Sequence, residues 1–111
     1  MKIEKALIVK KKWIDKIFDE GKIWEMRSQP TNIRGRIGLI ASGTGHIVGE
    51  VDLTGCEEID TKDKDLIKYH KVENVDVLDK WSYAWFLENA KRYSKPVPYT
   101  HPKGAVIWVK I

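Results

Sequence analysis

The stretch GKIWEMRS, residues 21–28, places an acid and a base two positions apart in an otherwise apolar segment. In a strand, successive side chains point to opposite faces, so Glu25 and Arg27 share one face while Trp24 and Met26 share the other. The charged residues are either a solvated ion pair or part of a pocket. In a pocket, Arg27 offers planar donors to a phosphate or base edge, and Glu25 accepts from an amino or imino group.

The five tryptophans are the other residues that could contact a flat ligand. Trp13, Trp85 and Trp108 occupy positions that face the core in predicted elements. Trp24, which lies beside Glu25, is either a core residue or a ring on which a base stacks. The sequence does not decide between these two roles.

Other reactive residues lack the spacing of a catalytic or metal site. The glycines of SGTGHIVGE lack the Lys-Ser/Thr of a phosphate-binding loop and are typical of a hairpin turn. The three histidines are scattered along the chain. The single cysteine, Cys56, is predicted to be a buried, inert thiol without a disulfide partner. We therefore expect no metal and no cofactor.

Composition predicts one domain, residues 1–111, with a modest core, because 42% of the 111 residues are hydrophobic. The longest apolar run, ALIV, is far shorter than the roughly 20 residues that span a bilayer, and the first residues lack a signal-peptide pattern. A lone cysteine agrees with a reducing compartment. We expect a cytoplasmic protein with no membrane contact, whereas its oligomeric state is not indicated.

The net charge of +4 is distributed unevenly. Residues 1–37 contain 10 Lys/Arg and 5 Asp/Glu, residues 38–79 contain 4 and 10, and residues 80–111 contain 6 and 1. If the two basic ends meet in the fold, they form a positive face suited to a polyanion. A mixed-charge solvated surface is the alternative.

Hydrophobic periodicity predicts an α+β domain of about five strands and two to three helices. A strand over 3–10 is followed by a helix over 12–20, a strand over 22–28 and a hairpin formed by RIGLIAS and HIVGEVDLTGCEEI. Residues 61–70 and 82–91 are predicted to be helices, and GAVIWVKI a closing strand. We expect the sheet to curl into a small barrel.

The segment from Lys22 to Arg27 resembles the signature of the ASCH (activating signal cointegrator homology) domain, approximately Gly-x-Lys-x-x-Glu-x-Arg. The motif's glycine would fall on Glu20, one position before Gly21. YAWFLEN, PVPY, HPKG and VIW, in this order, resemble the C-terminal half of the family. The resemblance covers nearly the whole chain.

This resemblance implies a PUA-like fold, which is a small curled β-barrel flanked by helices. It also implies a cleft beside the barrel that binds RNA, a nucleotide or a nucleoside. The resemblance and the residue chemistry together give the expected ligand-binding residues as Lys22, Trp24, Glu25, Arg27, Ser28 and Arg34. Clustering of Lys22 with Glu25 requires that the strand begin after Lys22 or contain a bulge.

Some ASCH proteins are N4-acetylcytidine amidohydrolases, for which the resemblance implies a Lys, a Thr three residues later and a distant Glu. Lys22 fits the first position, but Glu25 replaces the threonine, and Glu73 or Glu88 could supply the distant acid. If the protein is an enzyme, its catalytic residues are expected to be Lys22, Glu25 and Glu73. Glu25 would then activate water and Lys22 would stabilise the oxyanion.

Three functions therefore remain open at the level of sequence. The first is a module that binds nucleic acid or a modified nucleotide, which the basic ends, the tryptophans and the missing nucleophile favour. The second is a hydrolase of nucleosides or RNA, either an amidohydrolase or a ribonuclease. The third is a protein-interaction domain with a vestigial cleft.

Overall fold

The computed structural model describes residues 3–111. Its elements, in chain order, are β1 (Lys5–Val9), α1 (Lys11–Asp19), β2 (Trp24–Arg27), β3 (Gly35–Ala41), β4 (His46–Glu58), α2 (Ile67–His70), β5 (Tyr83–Pro98) and β6 (Trp108–Lys110). Two short 3-10 helices cover Lys64–Leu66 and Val75–Lys80. The structure therefore has six strands, where the sequence predicted about five. None of the described helices is long and apolar enough to cross a membrane.

The six strands form one mixed sheet in the order β2-β5-β4-β3-β1-β6. β1 and β3 are parallel, and the other neighbouring pairs are antiparallel. Within residues 3–111, β2 and β6 are the edges of this sheet, so the strand pairings do not close a barrel. β1 pairs with β6, which brings the N-terminal and C-terminal strands side by side.

The predicted helix over 82–91 is wrong, because this segment belongs to β5. β5 pairs with β2 on one side and with β4 on the other, so backbone hydrogen bonding holds it on both edges. Tyr83, Trp85 and Leu87 also recur with the period of a strand, and aromatic residues favour strands. Apolar spacing in this short segment fitted both periods, and the pairing partners decided between them.

The core lies between the sheet and α1, which buries Ile14 and Ile17. The largest cluster of buried residues joins strands and helix: Leu7, Val9, Ile14, Ile17, Ile37, Leu39, Val51, Leu53, Trp85 and Leu87. Cys56, predicted to be buried, is only half-buried. α1 is thus packed against the sheet, and this packing positions the connection from α1 to β2.

The connection from α1 to β2 directs Lys22 into the interior. The backbone N–H groups of Glu20 and Lys22 both donate to the Lys16 carbonyl oxygen at 3.0 Å. Gly21 has a φ of +73°, a conformation that glycine adopts readily just after a helix. Because β2 begins at Trp24, Lys22 lies outside the strand. Its side chain therefore need not follow the alternation of side-chain directions along β2.

Candidate functional site

A cavity of about 220 Å³ lies where β1, α1, β2 and the turn after β3 meet. Its lining residues come from separate parts of the chain: Ile8, Lys10, Trp13, Glu25, Met26, Arg27, Ser42, Trp81 and Val106. Two cations and one carboxylate contribute to this lining, and most of the remainder is apolar or aromatic. The cavity therefore combines an apolar enclosure with a few charged groups, as ligand sites commonly do.

Glu25 and Arg27 form a tightly bonded pair in this cavity. Arg27 donates from Nε and Nη2 to Glu25 Oε2 at 3.1 and 2.8 Å, and Nη2 also donates to the Ile8 carbonyl oxygen at 2.8 Å. The guanidinium carbon lies 5.6 Å from the centroid of the Trp85 ring. These contacts hold the guanidinium in one orientation.

The pair leaves one donor group and one acceptor atom without a hydrogen bond within residues 3–111. Arg27 Nη1 takes part in none of the hydrogen bonds of these residues, and Glu25 Oε1 accepts none of them but forms an ion pair with Lys22 Nζ at 3.7 Å. The Arg27 side chain is 20% exposed, whereas that of Glu25 is 5% exposed. The cavity lining thus contains a guanidinium with an unbonded Nη1 group beside a largely buried carboxylate.

Lys22 lies behind Glu25 and not in the cavity lining. Its side chain is 1% exposed, and Nζ lies 3.7 Å from Glu25 Oε1. Nζ donates to the His70 carbonyl oxygen at 2.6 Å and lies 4.9 Å from the centroid of Trp13. Burial lowers the pKa of Lys22 to about 8, although the nearby Glu25 carboxylate opposes this shift. Lys22 therefore supports Glu25 from the interior.

His70 completes the buried polar group behind the cavity. It is fully buried, and Nδ1 accepts from the Val72 N–H at 2.9 Å. A neutral ring that accepts at Nδ1 carries its proton on Nε2, which has no partner. Burial, and then the positive charge of Lys22, lower the pKa of His70 to about 4. His70 is accordingly neutral at pH 7.

The structure places Trp24 away from the cavity. Its ring packs against Tyr69 and Phe86, with centroid separations of 4.8 and 5.4 Å. Trp13 and Trp81 line the cavity instead. Within the described part of the chain, no other aromatic ring stacks on Trp81.

The remaining sequence-predicted site residues lie outside this cavity. Ser28 is exposed just after β2, and Glu88 is exposed in β5. Arg34 precedes β3, at the opposite end of that strand from Ser42, and donates to the Thr31 and Ile33 carbonyl oxygens. Glu73 lies in a separate depression. The fold thus brings Lys22, Glu25 and Arg27 together. The other four predicted residues lie apart from this group: Ser28, Arg34, Glu73 and Glu88.

Sequence reasoning missed Lys10, Ser42 and Val106 and assigned Trp13 to the core alone. These residues lie 14 or more positions from Arg27 along the chain, and no periodic pattern links them to β2. Only Trp81 had a sequence feature that could have pointed to the cavity, because it is an aromatic residue without a clear core position. The cavity is a product of tertiary contacts.

The described residues contain no group of three or more His, Cys, Asp or Glu side chains arranged to hold a metal ion.

Comparison with known proteins gives a family match and a set of similar folds. Residues 7–97 match the profile of the ASCH domain family. No curated protein matches the chain in sequence.

Three crystal structures of an ASCH protein from Zymomonas mobilis have similar folds. The first has a TM-score of 0.73 and 12% identity, covering 97% of this chain and 87% of that one. A tyrosine-to-phenylalanine mutant has a TM-score of 0.70 and 14% identity, covering 99% and 91%. A serine-to-alanine mutant has a TM-score of 0.69 and 14% identity, covering 97% and 87%. At such low identity these likenesses concern the fold alone.

Proposed function

Because the chain belongs to the ASCH domain family, we propose that its cavity binds a nucleobase of RNA or of a modified nucleotide. The observation that carries this proposal is the Arg27–Glu25 pair in the lining of one cavity, where Arg27 Nη1 makes no hydrogen bond with the described residues and the Glu25 carboxylate lies beside it. Base edges present donors beside acceptors, so adjacent protein donors and acceptors can pair with them.

The rigidity of Arg27 supports recognition of a flat ligand. Three hydrogen bonds fix its guanidinium to Glu25 and to the β1 backbone. Nη1 is therefore oriented before a ligand arrives, and binding orders little additional side chain. A planar donor fork of this kind discriminates ligand geometry better than a flexible ammonium.

The aromatic lining supplies the second requirement of a base site. Trp13 and Trp81 border the cavity together with Met26, and Trp81 has no aromatic partner among the described residues. Stacking against an aromatic ring contributes about 1–3 kcal/mol per base. Lys10, which also lines the cavity, is available for the phosphate of the same nucleotide.

Burial of Lys22 favours a binding module over the hydrolase alternative. The Lys22 side chain is 1% exposed, and its Nζ donates to the His70 carbonyl oxygen on the interior side of Glu25. A group that stabilises an oxyanion must lie about 3 Å from the reacting oxygen. Because Lys22 lies behind Glu25, its ammonium cannot come that close to an oxygen of a ligand in the cavity. Glu73, the expected distant acid, lies in a different depression.

The protein-interaction alternative predicts different polar groups in the cleft. A vestigial cleft has no need of a polar group without a hydrogen bond in its lining, whereas Arg27 retains Nη1. Capture of a base edge accounts for this group directly.

A ligand panel tests the proposed function. Nucleosides, N4-acetylcytidine, nucleoside monophosphates and short single-stranded RNAs are titrated by NMR, with product analysis of every ligand that binds. We expect the Trp81 indole N–H and the Arg27 Nε–H signals to shift, and no product to form. The Trp81 signal is assigned with Trp81→Phe.

Two results would overturn the proposal. One is the absence of binding by every member of the panel at low salt. The other is turnover that Lys22→Ala abolishes, which would make the hydrolase the better description. Signal changes confined to residues outside the cavity would also contradict the assigned site.

A further inference from the structure

A second cavity, of about 390 Å³, adjoins the first on the side of the C-terminal segment. Ile8, Ser42 and Val106 line both cavities, so the two form parts of one groove. The rest of the second cavity is formed by Gly43, Gly45, Tyr99, His101 and Ala105. The described lining contains no Asp, Glu, Lys or Arg, so it suits the flat, uncharged face of a base better than a charged group.

Tyr99 and His101 form a hydrogen-bonded ring pair in the second cavity. The Ala105 carbonyl can only accept, so His101 Nε2–H donates to it at 2.9 Å. In that neutral tautomer, Nδ1 accepts from the Tyr99 hydroxyl at 2.8 Å. The ring centroids are 5.8 Å apart, at an angle of 62°. Both ring nitrogens of His101 are thus engaged within the loop.

The turn after β3 contributes the backbone part of this cavity lining. Gly43 and Gly45 have φ values of +82° and +71°, and a Cβ placed on either glycine meets no atom within 4 Å. The Tyr99 N–H donates to the Gly45 carbonyl at 3.2 Å, which ties the ring pair to this turn. The cavity therefore has a backbone side and an aromatic side.

We infer that this second cavity is a stacking subsite for the base of the nucleotide adjacent to the one held by Arg27 and Glu25. The inference rests on the proposed function and adds that the preferred ligand has at least two nucleotides. The shared wall provides a continuous path from one cavity to the other. Because its ring nitrogens are already bonded, His101 offers ring surface and not hydrogen bonds, so the subsite accepts any base.

Affinity as a function of ligand length tests this inference. The probes are the four nucleoside monophosphates and the four homodinucleotides ApA, CpC, GpG and UpU, measured by calorimetry at fixed salt. Homodinucleotides remove the need to know which end enters the first cavity. At least one is expected to bind roughly 5- to 150-fold more tightly than its monophosphate, the gain typical of one stacked base.

Two variants of one exposed residue locate that gain. His101→Ala should abolish it and leave monophosphate affinity unchanged. His101→Phe also loses both hydrogen bonds but keeps a ring, so it should retain most of the gain. This pair separates stacking from loop hydrogen bonding, and heat denaturation of both variants checks that the fold is intact.

The outcomes distinguish this inference from the proposed function. If neither monophosphates nor dinucleotides bind, the proposed function fails and the inference fails with it. If monophosphates bind through Arg27 and dinucleotides bind no more tightly, only the second subsite is overturned. A gain in dinucleotide affinity that His101→Ala leaves intact overturns its assigned location.

Discussion

The ammonium nitrogen of Lys22 lies 3.7 Å from Oε1 of Glu25, and the two side chains are 1% and 5% exposed. Arg27 contacts the other carboxylate oxygen of Glu25 at 2.8 Å. Glu25 is therefore held between a buried cation and one that borders the cavity. This relationship explains how a carboxylate is accommodated in a largely buried position.

Loss of the buried cation should strongly destabilise the protein. Lys22→Met leaves Glu25 with one cationic partner and the His70 carbonyl without its donor, so we expect the free energy of unfolding to fall by about 3–5 kcal/mol. Urea denaturation measures this change. Lys16→Met is the matched control, since Lys16 forms a more exposed pair with Glu20 at 3.4 Å and should cost less than about 1 kcal/mol. Equal effects of the two substitutions would contradict the buried-pair account.

His70 should make stability depend on pH in the mildly acidic range. Its pKa is about 4 in the folded protein and 6.5 ordinarily, so the unfolded chain binds more protons between these values. The stability contributed by neutral His70 is present above pH 6.5 and declines as the pH falls towards 4. His70→Asn keeps an acceptor for the Val72 N–H without titrating. Denaturation at several pH values should show a steeper acid loss in the wild type than in the variant, and parallel curves would count against this prediction.

Arg27→Lys should weaken nucleotide binding although the positive charge is preserved. A lysine has no planar fork, so it cannot bond Glu25 and Ile8 while presenting two further donors to a base. We expect a loss of about 1–3 kcal/mol in the binding free energy of a monophosphate. Arg34→Lys is the matched control, because Arg34 lies at the far end of β3, on the order of 20 Å from Ser42. The same loss in both variants would show that the effect is not specific to the cavity.

Trp81→Leu should reduce affinity, whereas Trp24→Leu should reduce stability. Trp81 borders the cavity without an aromatic partner in the described chain, so its loss removes a stacking surface worth about 1–3 kcal/mol. Trp24 contacts Tyr69 and Phe86 instead. Calorimetry and thermal denaturation of both variants give the comparison. An affinity loss in Trp24→Leu, with none in Trp81→Leu, would reverse the assignment of the two rings.

Lys10→Gln should reduce the salt dependence of RNA binding. If Lys10 neutralises one phosphate, its removal should lower the slope of log affinity against log salt by about 0.7 for a single strand. Affinities for a short oligonucleotide at four or more salt concentrations give this slope. Lys64→Gln, an exposed change in the acidic middle segment, should leave it unaltered. A slope unaffected by Lys10→Gln would remove Lys10 from the phosphate contacts.

Local sequence patterns were sufficient for several elements of the fold. The spacing of Ile14 and Ile17 predicted α1, and the apolar runs on either side of GTG predicted the β3–β4 hairpin. The pattern failed at residues 82–91, where helical and strand spacings overlapped. There the open edges of β2 and β4 determined the structure, because a strand between them satisfies its backbone groups on both sides.

The sequence by itself determined the pairing of Glu25 with Arg27, because residues two apart in a strand share a face and opposite charges then meet. Only the tertiary structure decided which groups surround that pair. Lys22 is buried because His70, 48 positions later, provides its acceptor, and Trp81 reaches the cavity through the path of the chain into β5. The physical reason is that alternation acts between near neighbours, whereas a cavity is enclosed by long-range packing that no local period encodes.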